Sequence, residues 1–267
     1  MTAIEPLSSA SIPSPPVQPA SAPPPSAPPT LVLREIALDL LSLLWPCSCA
    51  VCGAPDRELC TPCRSALRQA EGEWSSVVTP AGVAACIAGP YTGPLRALLV
   101  GYKHVGRTAY AQPLGARLRA PLGAALRHAR SAEALLVTVP SRPARVRERG
   151  YRHVDLLVRR ALRGMGSQGG AKARMMRRAL VPLPGRTGQV GLDSNGRRRN
   201  ASLIGVARPA RRRLRGREVI LVDDIVTTGA TIAAAVRALE GAGARVIAVA
   251  ALCATERRHR PGGGSCE

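Results

Sequence analysis

Apolar and polar positions along the chain sort into segments of different period. Leu33, Ile36, Leu40 and Leu44 recur at helical spacing and predict an amphipathic first helix over 31–45. An apolar segment runs through 83–103 and ends in Gly101, Tyr102 and Lys103. Residues 108–129 read as a helix, with Leu114, Leu118, Leu122 and Leu126 spaced four apart. The short apolar run 134–139, stopped by Pro140, predicts a buried strand that runs into a loop. A helix over about 151–163 and a flexible break over 164–170 follow. Residues 171–215 are strongly basic, lack apolar periodicity and read largely as loop. The chain then closes with a strand over 218–222, a helix over 230–240 and a strand over 245–252. That closing unit is a βαβ, which predicts a parallel sheet.

The ends of the chain differ from this body. Residues 1–30 are dense in Pro, Ser and Ala and contain little that could repay the entropy of ordering, so they read as disordered. A flexible tail is expected over 256–267. Between the ends, the pattern divides the chain into a helix plus a cysteine-rich module over 31–75 and an α/β domain over 83–255.

Composition changes this picture in two ways. Hydrophobic residues make up 46% of the 267, but aromatics only 2% with no Phe, so the core must be built from Leu, Val, Ile and Ala. The formal net charge is +21 and almost all of it is Arg, since Lys103 and Lys172 are the only lysines. That excess fits a polyanion partner. It fits a coding bias with solvated guanidinium groups equally well, and the basic residues lack the interleaved aromatics of a single-strand stacking platform. No stretch reaches the ~20 apolar residues of a membrane span. The apolar segment 31–45 is interrupted by Arg34, Glu35 and Asp39 and has no cationic start before it, unlike a signal peptide. A cytoplasmic protein without a membrane span is expected.

The densest chemistry lies in Val219-Ile220-Leu221-Val222-Asp223-Asp224-Ile225-Val226-Thr227-Thr228-Gly229-Ala230-Thr231. Apolar β-formers deliver the chain to the carboxyl edge of a sheet, where α/β folds bind ligands. Two carboxylates follow, then a Thr-rich turn that opens a helix. Hydroxyls and backbone N–H groups at a helix N-terminus suit a phosphate, and Gly229 allows close approach or a positive φ. Carboxylates beside a phosphate cradle would repel the ligand unless they meet hydroxyls or a cation. Ribose hydroxyls held with Mg²⁺ answer both needs. The plainer alternative is an Asp pair that caps a helix beside a Thr-rich turn.

The second cluster is Cys49-x-x-Cys52 followed by Cys60-x-x-Cys63. Two such pairs can pinch one metal in a four-thiolate tetrahedral site, and an all-Cys set leaves no open position for catalysis, so a structural Zn²⁺ is expected. Gly53 permits the tight turn after the first pair. Disulfides or free core thiols are the alternative, disfavoured in a reducing compartment. Cys47 is a possible competing ligand, whereas Cys86 and Cys253 read as core thiols and Cys266 as a tail residue.

The acid–turn segment resembles the signature of the type I phosphoribosyltransferases. That resemblance implies a type I parallel sheet flanked by helices, and the paired Cys-x-x-Cys spacing places a small N-terminal four-Cys zinc knuckle ahead of it. It assigns ribose contact to Asp223 and Asp224, and 5′-phosphate contact to Thr227, Thr228, Gly229, Ala230 and Thr231. Purine-salvage members carry an acid where Thr227 stands, which argues against hypoxanthine–guanine-type substrates. A knuckle first and this signature last is the layout of the ComF family (ComFC, GntX), which the chain resembles over roughly 35–253. Tyr91-Thr92-Gly93-Pro94-Leu95 with Tyr102-Lys103, Pro140-Ser141, Arg147 with Arg149-Gly150-Tyr151, and Gln189, Gly191-Leu192, Arg197 and Asn200 are similar to further family elements. Where the family usually has Asn-Gln after the Arg-Gly-aromatic triplet, this chain has Arg152-His153.

Loop amides at Ser141, guanidinium groups at Arg147 and Arg149 and the ammonium of Lys103 are plausible parts of a pyrophosphate site. The stretch from Gln189 to Asn200 would form a hood over it. His153 reads either as a partly exposed helix-face histidine or as a proton shuttle. Two functions follow. One is binding of phosphoribosyl pyrophosphate or a related nucleotide with Mg²⁺, with transfer to an acceptor if the protein is an enzyme. The other, implied by the resemblance and by the basic run 197–217, is a single-stranded-DNA-binding accessory of DNA uptake that works with a helicase-like competence protein, without catalysis.

Overall fold

The computed structural model describes residues 47–165, 172–183 and 204–255. The expected helix over 31–45, both tails, Cys266 and the Gln189–Asn200 stretch lie outside the described residues.

Six strands form the main sheet: β1 (Ser75–Val78), β2 (Ala84–Pro90), β3 (Glu133–Thr138), β4 (Lys172–Met175), β7 (Glu218–Val226) and β8 (Arg245–Ala254). Their order is β1-β2-β8-β7-β3-β4. All neighbours are parallel except β1, an antiparallel edge strand on β2. A separate antiparallel pair joins β5 (Leu180–Pro182) to β6 (Ile204–Val206). The helices are α1 (Thr61–Gln69), α2 (Gly93–His104), α3 (Ala111–Leu126), α4 (Pro143–Arg149), α5 (His153–Arg163), α6 (Arg208–Leu214) and α7 (Ala230–Glu240). No helix among the described residues is long and apolar enough to cross a membrane.

Alternation along the central strands sends side chains to two cores. Ile220 and Val222 of β7 join Ala248, Ala250 and Leu252 of β8 beneath α2, α3 and α5, together with apolar residues of the cysteine module. Val219 and Leu221 face the other way, with Val249 and Ala251, beneath α6, α7 and the β5–β6 pair. Leu114, Leu118 and Leu122 of α3 are fully buried, which is the use of their four-residue spacing. The aromatics in these cores are Tyr102 and Tyr110.

Three expectations change. The basic stretch 171–215 is not largely loop where it is described: it contributes β4, β5, β6 and α6. Strand β4 escapes a hydrophobic reading because it is an edge strand with alternating exposure, where cations are favoured. The Pro-rich loop after β3 contains a helix, α4, with Pro143 in its first turn and Gly150 closing it at φ 79°. Strand β7 runs on past Val222 to Val226, so both acids lie in the strand rather than in the turn after it.

The connections decide where a ligand can sit. After β7 the chain crosses to the α7 face, whereas after β3 it passes through α4 to α5 on the opposite face. Neighbouring strands whose connections leave to opposite faces open a crevice at their carboxyl ends. Ser141, Asp223, Asp224 and the Thr-rich turn all border it.

Candidate functional site

Asp224 is the hub of the crevice. Its side chain is only 7% exposed, and one oxygen, Oδ2, takes both the Lys103 ammonium at 2.6 Å and His153 Nε2 at 2.5 Å. Lys103 arrives from the last turn of α2, and His153 from the first residue of α5. The other ring nitrogen of His153, Nδ1, lies 3.1 Å from an Arg149 N–H and 3.2 Å from the Ser141 hydroxyl. An arginine can only donate, so Nδ1 accepts and Nε2 carries the proton that it gives to Asp224.

Backbone contacts lock this cluster. Arg149 Nε donates to the Lys103 carbonyl at 2.6 Å. The Tyr102 hydroxyl donates to the His153 carbonyl at 2.9 Å, and the Tyr151 hydroxyl to the Tyr102 carbonyl at 2.5 Å. Behind them, Thr138 at the end of β3 donates to Asp155 of α5 at 2.7 Å. Lys103, Ser141, Arg149 and Asp224, drawn from distant parts of the sequence, therefore meet through His153. Of the two readings the sequence leaves open for His153, a partly exposed helix-face residue or a proton shuttle, the first does not match its burial. The histidine is 8% exposed and central, and its partner stands 71 residues away, a pairing with no local sequence signal. Arg147 is exposed and is not among the contacts of this cluster.

The two adjacent acids differ. Burial alone would raise the Asp224 pKa, but Lys103 and His153 outweigh it and hold the carboxyl well below its usual range. Asp223 moves the other way: burial, and then the neighbouring Asp224 charge, push it well above the ordinary value. Its Oδ1 accepts the Asp224 N–H at 2.8 Å.

The turn after β7 leads to α7, whose N-cap residue makes no side-chain cap hydrogen bond. Gly229 stands at the cap position with φ 74°. A Cβ there would lie 2.5 Å from Pro80 Cδ, so both backbone conformation and space require glycine. Thr227 and Thr228 are exposed, and Ala230 and Thr231 open the helix. The Ala230 N–H donates to the Thr228 hydroxyl at 3.4 Å, and the turn presents hydroxyls and a helix N-terminus, which suits an anion.

Cys49, Cys52, Cys60 and Cys63 form a separate cluster whose sulfur atoms all lie within 4.8 Å of one another. Four thiolates at Zn–S distances of about 2.3 Å stand about 3.8 Å apart, which small shifts of this cluster would reach, so it could hold a metal ion. Gly53 takes φ 76° in the turn after the first pair. Burial acts to raise the Cys49 thiol, but the N–H groups of Cys52, Cys60 and Val51 bring it down to about 6. Cys63 is pushed up to about 12 by its bond with Cys60 and by burial, as expected where neighbouring sulfurs compete for charge. Cys47 is half-buried, and Cys86 and Cys253 are core thiols.

Known proteins resemble the chain. A family model described as "Phosphoribosyl transferase domain" matches residues 178–262. The DNA utilization protein YhgH of Escherichia coli O157:H7 is 30% identical over 213 residues, which is 78% of this chain and 84% of that protein. The protein of the same name from Escherichia coli strain K12 is also 30% identical, and that of Shigella flexneri 29%, over the same shares.

Proposed function

The chain belongs to the ComF family, and we propose that it binds phosphoribosyl pyrophosphate with Mg²⁺ in the crevice between β3 and β7. One observation carries the reading: the Asp223–Asp224 pair at the end of β7 leads through Gly229 into the start of α7, and a cationic cluster stands on the β3 side. The turn, from Thr227 to Thr231, takes the 5′-phosphate, and the acids take the ribose hydroxyls. Lys103, Arg149 and Ser141 face the diphosphate. The carboxylates of Asp223 and Asp224 would hold Mg²⁺, an all-oxygen donor set that fits it, and the ion would supply charge neutralisation for the diphosphate.

In transfer, an acceptor nucleophile displaces pyrophosphate at the anomeric carbon. The chain's residues then act by orienting the sugar and by stabilising the departing diphosphate. Thr227 stands where purine-salvage relatives use an acid, so the acceptor is not a hypoxanthine–guanine-type base. The four-Cys cluster holds a structural Zn²⁺, supported by its spacing and by the closeness of its sulfurs.

Calorimetric titration of the zinc-loaded protein with phosphoribosyl pyrophosphate and Mg²⁺ tests this, run beside an Asp223→Asn/Asp224→Asn double variant. Micromolar binding lost in the variant is expected. No binding by folded wild-type protein, or equal binding by both, would overturn it.

A second reading, single-stranded DNA binding in DNA uptake, has its own support. Arg208, Arg211, Arg212, Arg213 and Arg215 are all exposed on and beside α6, and the relatives are named for DNA utilization. The patch lies outside the crevice, so the two functions can coexist.

A further inference from the structure

The four-Cys module is joined to the crevice by an unbroken set of contacts. Its loop between Cys52 and Cys60 carries Glu58, whose carbonyl accepts the Tyr110 hydroxyl at 2.9 Å. Arg107 donates to that same hydroxyl at 2.9 Å and pairs with the Glu58 carboxylate at 3.4 Å. Tyr110 is 1% exposed. Its ring lies so close beneath Gly101 that a Cβ there would be 2.7 Å from Cε2. Gly101 is two residues before Lys103 in the last turn of α2, and its carbonyl receives the Val105 N–H that ends the helix. On the far side, Arg149 and Tyr151 hold the Lys103 and Tyr102 carbonyls. The last turn of α2 is therefore gripped between the module and the crevice, with Lys103 on Asp224.

We infer that Tyr110 is a positioning residue through which the four-Cys module holds Lys103 on Asp224, so that the state of the metal cluster sets the anion affinity of the crevice. The inference rests on the ligand and metal readings above. The physical basis is directional. Without metal, nothing covalent fixes the loop that carries Glu58, because the described cysteines are free thiols. Tyr110 then loses its acceptor, the ring is released from beneath Gly101, and the last turn of α2 can rotate. A lysine is a point charge on a flexible stem, so its contribution depends on where its backbone is held. Gly101 is the sensitive point, since any side chain there collides with the ring.

A double-mutant cycle separates positioning from general stabilisation. Tyr110→Phe keeps the ring and removes the hydroxyl, so the variant folds and retains its zinc. It should weaken binding of phosphoribosyl pyrophosphate with Mg²⁺ about 3- to 10-fold, and by nothing further in a Lys103→Met background, as coupled sites behave. Gly101→Ala should act in the same way through the same lysine. Equal losses with and without Lys103 would overturn the inference.

The same cycle is read on denaturant midpoints without ligand, where Tyr110→Phe and Lys103→Met should shift the midpoint non-additively. This second arm keeps the two proposals apart. If wild-type protein binds no phosphoribosyl pyrophosphate, the functional reading fails while the midpoints still decide the coupling. Additive midpoints would sink the coupling even if the ligand binds.

Discussion

Glu218 begins β7 at the edge of the sheet opposite the crevice, and its loss should destabilise the fold while sparing the site. Oε2 accepts the N–H groups of Arg130 and Ser131, each at 2.9 Å, and the Ser131 hydroxyl at 2.7 Å. Oε1 meets Arg245 at the start of β8. One carboxylate thus ties β3, β7 and β8 together. Burial would raise its pKa, but the Ser131 and Arg130 donors and Arg245 bring it from 4.5 down to about 2. Taken at face value that fall is worth about 3 kcal/mol. Because Arg245 is 57% exposed, solvent screens its share, and about 2 kcal/mol is the better expectation.

The folded pKa is depressed, so this stability is present above the unfolded value near 4.5 and is lost as pH falls toward 2. Denaturant unfolding of Glu218→Gln against wild type should show a gap of about 2 kcal/mol at pH 7 that closes on acidification. Calorimetry should show unchanged affinity in the crevice. A gap that stays constant between pH 7 and pH 3, or one below about 0.5 kcal/mol at pH 7, would refute the assignment of stability to the ionised carboxylate.

Three further outcomes are expected. Gly229→Ala forces a side chain into φ 74° and against Pro80. It should cost about 1–2 kcal/mol in unfolding and lower phosphoribosyl pyrophosphate affinity at least tenfold by calorimetry. Burial and the neighbouring Asp224 charge raise the Asp223 carboxyl, so binding that needs it ionised should weaken as pH is lowered. Calorimetric titrations over a pH series would show affinity that does not fall if the acid is not used. Replacing Arg211, Arg212 and Arg213 with Glu should abolish single-stranded DNA binding in an anisotropy assay and leave the unfolding midpoint within the usual surface range. Retained binding would remove α6 from the DNA surface.

Much of the fold was legible because its signals are local. The β7–α7–β8 unit carries its hydrophobic runs and its turn residues in one stretch of sequence, and the paired Cys-x-x-Cys spacing marks the sulfur cluster without help from the rest of the chain. The misses arise where the local signal is weak or the cause is tertiary. Strand β4 alternates exposed and half-buried residues on an edge, so no apolar period marks it. Helix α4 buries none of its residues, and only Pro143 and Gly150 mark its ends. The continuation of β7 through Asp223 and Asp224 is hidden because the ladder to β8, with Asp223 opposite Ala251 and Val226 opposite Ala254, overrides the weak strand preference of aspartate. The role of His153 depends on α5 being packed against β7, a tertiary fact that no spacing encodes.

The inequality of the two acids explains how carboxylates can border an anion site. Asp224 is ionised but already paired with Lys103 and His153, so it presents little free charge to the crevice. Asp223 is the half-buried member, and burial together with the neighbouring Asp224 charge pushes its carboxyl above the ordinary value. Arg149 then leaves the cluster with positive character on the β3 side, beside the start of α7. On the proposed reading, a phosphorylated sugar entering here would meet a surface where one acid is already neutralised by a lysine, and a cation brought with the diphosphate would favour the ionised form of the other.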